Sequence, residues 1–319
     1  MDNIKAKANS RLIFRKNSFS MENLAPIIVF AFNRSDSLAR LIKSLLLNSE
    51  AAKSDLFLYV DGPRPGNKKD AKNVKEVRDY ASTINGFRSV TLKFSECNKG
   101  LGPSLIRGIT EIINKYGKAI VIEDDLQVTS NFLFYMNKGL CRYEYVERVF
   151  SICGYSNAVH PRKEYNFNTY FCTRSSSWGW ATWKDRWNSI DWELNNLDGY
   201  HRQAGKFNKW GGSDCWHMLT DWKKGKNSSW AIRFCFAQFL QNKLSLFPIK
   251  SLVSYGGNDG RGTNSRKYSR MKFDIDTTQS KVFTYPDQVE LNHTLYRQAM
   301  HYHSIPLRIW SRIMYILVG

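Results

Sequence analysis

Three consecutive carboxylates, Glu123-Asp124-Asp125, directly follow the apolar run Ala119-Ile120-Val121-Ile122. Such a run reads as a buried strand, which puts the acids at its carboxyl end. In an α/β sheet that edge borders the crevice where ligands bind. Crowded carboxylates repel one another and resist ionisation unless a cation neutralises them. A hard divalent ion, Mn2+ or Mg2+, does so with one or two carboxylates plus phosphate oxygens. The same ion can take up charge that develops on a departing diphosphate. The competing reading of the triplet is a solvated acidic turn.

Other residues with chemistry sit at corresponding places. Asn33-Arg34 follows the apolar run Ile27-Ile28-Val29-Phe30-Ala31, and Asp61-Gly62-Pro63-Arg64 follows Leu56-Phe57-Leu58-Tyr59-Val60. An arginine there can meet phosphate, and Asp61 can accept from a base or ribose. The segment Asn98-Lys99-Gly100-Leu101-Gly102-Pro103 opens a helical pattern, where a helix N-terminus favours anions. It is not a Walker loop. Trp178-Gly179-Trp180-Ala181-Thr182-Trp183 and Trp187 offer indole faces to sugar C–H groups. Core packing is the alternative, with some rings expected outside because each indole N–H needs a partner. The stretch Gly256-Gly257-Asn258-Asp259-Gly260-Arg261-Gly262-Thr263-Asn264 leads into Arg266, Lys267, Arg270 and Lys272. It reads either as a loop closing over a diphosphate or as a surface turn.

The elements that must position these residues are legible in the periodicity. Leu38, Leu41, Ile42, Leu45 and Leu46 share a helical face behind Ser35, an expected N-cap. A polar helix is predicted around 69–82 and a strand around 89–94. Leu105, Ile106, Ile109, Ile112 and Ile113 mark another helix, with Gly117 placed to end it. Strand–helix alternation at this spacing implies right-handed crossovers and a parallel sheet, hence an α/β fold. Beyond about residue 150 the pattern is less regular, an elaboration of the same domain. Near the end, Leu307, Ile309, Trp310, Ile313, Met314, Ile316 and Leu317 alternate with Arg308 and Arg312. This tail suits a membrane surface, or a helix packed on the core.

Composition narrows the function classes. With 319 residues and 42% hydrophobic side chains, the chain can build a sizeable core, and wholesale disorder is excluded. No apolar run reaches the ~18 residues of a spanning helix. The cysteines at 97, 141, 153, 172, 215 and 235 form no CxxC pair, so free thiols in a reducing cytoplasm are expected. The net charge of +19 favours a phosphate-rich partner, either a diphosphate-bearing substrate or an anionic membrane face. No nucleic-acid recognition motif accompanies it. Lys5, Lys7, Arg11, Arg15 and Lys16 lie in a polar stretch without helical or strand period, read as a flexible basic lead-in over 1–22.

In order, the chain carries Phe-Asn-Arg and Asp-Gly after the first two strands, Asn-Lys-Gly-Leu-Gly, then Glu-Asp-Asp and Ser-Trp-Gly-Trp-Ala-Thr-Trp. This order resembles the GT-A fold glycosyltransferases of bacterial surface-polysaccharide synthesis, themselves similar to the Golgi β-1,2-N-acetylglucosaminyltransferase family. The likeness covers roughly 25–265. It implies a Rossmann-like, mostly parallel sheet flanked by helices, with a nucleotide-sugar half at 23–150, an acceptor half at 151–290 and an amphipathic helix at 291–319. By the same resemblance Asp125 would be the metal ligand, and Glu123 with Asp124 would contact ribose and sugar. Arg34 and Asp61 would bind the uridine diphosphate. Asn98, Lys99 and Trp180 complete the expected donor contacts. The implied reaction is inverting displacement from a UDP-sugar, an N-acetylhexosamine or hexose, onto a saccharide or polyprenyl-diphosphate-linked saccharide.

Such a reaction requires a general base, and here the sequence departs from the family. Where relatives carry an acid before a tryptophan, this chain has Ser228-Ser229-Trp230-Ala231-Ile232-Arg233; where they end a loop Gly-Thr-His, it has Gly262-Thr263-Asn264. Asp214 and Asp259 are the nearest replacement bases, beside Glu123. Otherwise the chain is a weakened or non-catalytic homologue. A sugar nucleotidyltransferase is the remaining rival, although Phe30–Ser35 lacks the glycine-rich loop it would want. The expected location is the cytoplasm, peripheral on the inner membrane face.

Overall fold

The computed structural model describes residues 20–255 and 270–318. Strand β1 (Ile27–Ala31) leads to helix α1 (Ser35–Leu46), β2 (Asp55–Val60), α2 (Lys68–Ala81), β3 (Ser89–Phe94), α3 (Leu101–Tyr116) and β4 (Lys118–Glu123). These elements match the periodicity closely. The four strands pair in parallel in the order β3-β2-β1-β4. Every residue of β1 and β2 is buried, as expected of a sheet covered on both faces. Alternation along the strands splits the core. Ile27, Val29, Leu56 and Leu58 pack with α1 and α2, while Ile28, Phe30, Phe57 and Tyr59 pack against Leu105, Ile109 and Ile112 of α3. Gly117 ends α3 with φ +79°, a conformation that side chains with a Cβ disfavour.

Beyond β4 the chain makes β5 (Leu126–Val128), α4 (Phe132–Arg142), β6 (Val149–Cys153), β7 (Thr169–Cys172), β8 (Trp180–Trp183) and α5 (Lys184–Asn188). It continues through α6 (Ala204–Gly211), α7 (Cys215–Lys223), α8 (Trp230–Leu240), β9 (Leu244–Pro248) and β10 (Val253–Tyr255). Four of these strands extend the sheet to eight, in the order β3-β2-β1-β4-β8-β6-β9-β7. The half expected to be irregular is therefore part of one continuous sheet. It is mixed: β8 runs antiparallel to both β4 and β6, while β6 and β9 are parallel. A separate two-stranded ladder joins β5 to β10, with Leu126 opposite Tyr255.

The tail expected as one helix is two, α9 (His293–His301) and α10 (Ile305–Val318). Leu295 and Ala299 of α9 pack on Tyr170, Cys172 and Phe247, whereas α10 leaves Ile305, Ile309, Trp310, Ile313, Ile316 and Leu317 exposed. Among the described residues no helix is long and apolar enough to cross a membrane. All six cysteines are free, and Cys153, Cys172, Cys215 and Cys235 are buried.

Candidate functional site

The carboxyl ends of β1, β2 and β4 open onto a cavity of about 690 Å³. Its floor is set by the parallel register, in which Phe30 lies opposite both Tyr59 and Glu123. Asn33 and Arg34 leave β1 there, Asp61 leaves β2, and Glu123 and Asp124 leave β4; all line the cavity. Phe32, Phe94 and Leu101 form apolar walls. Arg34 closes the far side of this edge. Ser35 is the first residue of α1 rather than its cap, and Arg34 takes the capping position without a side-chain capping bond. Its guanidinium reaches back to the acids instead, 2.8 Å from Asp124 Oδ1 and 3.3 Å from Asp125 Oδ2.

Electrostatics at this edge are set first by burial and then by the mutual repulsion of the acids. Burial, then Asp125 and Asp124, push the Glu123 carboxyl up to about 8, with Arg34 only partly offsetting them. Burial likewise raises Asp124 to about 6 despite Arg34. No described residue donates a hydrogen bond to the Glu123 carboxylate, whereas Asp124 also accepts one from the Phe32 amide at 3.4 Å. One guanidinium thus fails to neutralise three neighbouring carboxylates, and their oxygens are the hard donors that Mn2+ or Mg2+ prefers. The donor set fits such an ion. Among the described residues no three His, Cys, Asp or Glu side chains are grouped to hold a metal by themselves.

Asp61 lines the cavity at the exit of β2, where its sequence context puts it, and its carboxylate is also engaged by the backbone. Its carboxylate accepts from the backbone amides of Gly62, Lys99 and Gly100 at 2.9–3.2 Å. It therefore fixes the 98–100 turn at the start of α3 while one edge still faces the cavity. Asn98 lines the cavity and donates to the Gly62 carbonyl at 3.0 Å; the Lys99 side chain does not line it. Asp70 in α2 ties the outer rim, accepting from Asn33 at 2.9 Å and pairing with Arg64.

Several expectations need correction. Trp180 does not contact the cavity: it is buried and stacks on Trp187 and Trp230 at centroid distances of 6.0 and 5.1 Å. Trp183 and Trp187 are core as well, with N–H partners at Leu140 and Thr110. Trp178 of this cluster lines a second and smaller cavity. Asp214 lies away from the acidic edge. Although burial opposes its ionisation, Arg174 at 2.7 Å holds it down to about 2, so it retains almost no affinity for a proton near neutrality. Asp125 neighbours Arg34 without lining the larger cavity. Asp259, with the 256–264 loop, Arg266 and Lys267, lies outside the described residues.

The structure adds residues the sequence reading passed over. Ser104 and Arg107 of α3 line the larger cavity, and the Ser104 hydroxyl is buried without a hydrogen-bond partner among the described residues. Arg107 forms no ion pair among them. Glu111 follows on the same face, accepting from Tyr59 at 3.0 Å. Their signal in the sequence is the i, i+3, i+7 polar spacing of Ser104, Arg107 and Glu111, opposite the apolar stripe of α3.

No family model matches the chain, and no curated protein matches it. Among solved structures it is similar to residues 1–349 of S. aureus TarS, with TM-score 0.40 and 10% identity over 73% of this chain and 61% of that one. It is also similar to the mannosyltransferase PcManGT from Pyrobaculum calidifontis, solved with GDP-Man and Mn2+, at TM-score 0.33 and 12% identity over 56% of this chain and 48% of that one. A third is the bifunctional glycosyltransferase WbbM, at TM-score 0.25 and 12% identity over 42% and 23%. The chain spans less than two thirds of the length of each. At such identities residue roles do not transfer.

Proposed function

We propose that the protein is a metal-dependent glycosyltransferase whose larger cavity holds a nucleotide-diphosphate sugar, with UDP as the nucleotide. The observation that carries this reading is the convergence, in one cavity of about 690 Å³, of Glu123, the buried Asp124, Arg34 that pairs with Asp124 and with the adjoining Asp125, and the start of a long helix. The volume lies within the roughly 300–1,000 Å³ of small-molecule sites.

Asp125, with Asp124, would hold Mn2+ or Mg2+, which when bound supplies charge neutralisation to the departing diphosphate. Arg34 orients both carboxylates and holds them apart. Phe32 and Phe94 provide faces for the base, and Asp61 positions the turn at Gly100 so that the Ser104 hydroxyl and Arg107 face the bound anion. Glu123, raised to about 8 chiefly by burial and without a hydrogen-bond donor among the described residues, suits a group that exchanges a proton during transfer. The acceptor is a saccharide, free or polyprenyl-diphosphate-linked, and the displacement inverts configuration. The exposed apolar face of α10, with Arg308 and Arg312 and no acid in the helix, would seat the enzyme on an anionic membrane surface.

Calorimetric titration of UDP with and without Mn2+, repeated on Asp125→Ala, tests the donor site. Binding should require the metal and weaken at least about tenfold in the variant. Metal-independent binding that the substitution leaves intact would remove the site assignment.

A further inference from the structure

The second cavity has a volume of about 260 Å³, room for one sugar ring rather than a nucleotide. Two stretches of chain tie it to the larger one. Ser228 lines the larger cavity and Ser229 the smaller, so about 3.8 Å of backbone separates their walls at this point. On another side, Trp178 of the smaller cavity stacks on Tyr255 at 5.3 Å and 11°, and Tyr255 pairs with Leu126, the residue after Asp125.

Its lining combines three features. Trp178, in edge contact with Tyr155 at 4.6 Å, presents an apolar ring of the kind that packs on sugar C–H faces. Ser176, Ser177 and Asn157 supply hydroxyl and amide partners. Arg174 adds a cation whose side chain is only 16% exposed. Its Nη1 is committed to Asp214 at 2.7 Å and the Gly211 carbonyl at 3.0 Å, but Nη2 meets only the Met218 sulfur at 3.9 Å. Thioether sulfur is a weak acceptor, so this guanidinium keeps unspent donors.

Positive charge continues behind Arg174. Arg270 donates to the Tyr302 carbonyl at 3.1 Å, and Arg308 to Ser213 Oγ at 3.0 Å, which itself bonds the His303 carbonyl. The strongest charges acting on His303, another lining residue, are thus the guanidiniums of Arg174, Arg270 and Arg308 and the single carboxylate of Asp214. An excess of partly buried guanidinium over carboxylate favours an anion, and guanidinium matches carboxylate or phosphate oxygens in geometry.

We infer that this cavity is the acceptor subsite and that it takes a saccharide bearing an anionic group, a carboxylate or a phosphate. The inference rests on the glycosyltransferase reading for the word acceptor, and on the Arg174 cluster for the charge. It is tested by saturation-transfer NMR titration of glucuronate, glucose 6-phosphate and glucose into protein saturated with UDP and Mn2+. At least one anionic sugar should bind about tenfold tighter than glucose; which one does separates carboxylate from phosphate. Arg174→Gln and Arg308→Gln should each erase that preference without changing UDP binding, and Arg308→Gln guards against misfolding of the more buried variant. Equal binding of glucose, or a preference that survives both substitutions, overturns the inference while metal-dependent UDP binding keeps the donor reading intact. Absence of UDP binding in the same samples would overturn the donor reading, and the acceptor assignment with it.

Discussion

At the scale of single residues, His303 shows how a buried group records its surroundings. Burial, then the charge of Arg174, Arg270 and Arg308 against that of Asp214, holds its imidazole well below the ordinary value. Its Nδ1 is buried without a hydrogen-bond partner among the described residues. The unfolded chain binds a proton near pH 6.5 where the folded one does not. The contribution of His303 is therefore fully present above that pH and falls as pH drops through it, by up to about 1.4 kcal/mol per unit. Glu123 and Asp124, raised to about 8 and 6, contribute in the opposite sense across the same window, so the His303 share is read by difference. In urea unfolding at pH 7.5 and 5.5, wild type should lose more stability on acidification, or gain less, than His303→Gln. An unchanged slope in the variant would assign the loss to other groups. Asp214 cannot be one of them in this window, because its depressed value near 2 confines its contribution to more acid conditions.

Among the elements, the close contact between the β2 exit and the 95–98 segment decides the shape of the larger cavity. A Cβ on Gly62 would lie 2.5–2.6 Å from the backbone C, Cα and N of Cys97, so this segment can approach only a glycine. Ser95 and Asn98 from it line the cavity. Gly62→Ala should lower stability by about 1–3 kcal/mol and weaken UDP binding as the wall moves. Gly205→Ala, inside α6 with nothing within 4 Å of the added carbon, should be neutral or stabilise by up to ~1 kcal/mol. Thermal unfolding and UDP titration of the two variants compare them directly; equal behaviour would contradict the packing account. Elements β1 to β4 and α1 to α3 were legible because each is apolar on the face it buries. Strand β8 was not, since Trp178 to Trp183 mixes indoles with glycine and threonine. Its place between β4 and β6 depends on antiparallel partners more than 25 positions away.

For the whole molecule, the proposed seat on an anionic membrane makes predictions about the surplus of cations and the exposed face of α10. At 14 residues the helix is about 21 Å long, shorter than a bilayer core of roughly 30 Å, so lying in the interface is the geometry open to it. Vesicles containing phosphatidylserine should co-sediment the protein, pure phosphatidylcholine much less, and salt should weaken the association. Ile309→Asp with Ile313→Asp should release it while metal-dependent UDP binding persists. Self-association that these substitutions abolish, with no vesicle binding, would assign the face to a second copy of the chain.

By itself the sequence determined the α/β class, the four parallel strands with their helices, and the acids at the carboxyl edge of β4. Those features depend on local periodicity and on the fixed geometry of strand–helix–strand units. Tertiary structure alone decided that Trp180 belongs to the core, that Arg34 spans Asp124 and Asp125, and that Asp214 is spent on Arg174. It also brought Ser104, Arg107 and the second cavity into play. Each of these is a contact between segments distant in sequence, and a pattern read along the chain carries no information about which side chains long-range packing will bring face to face.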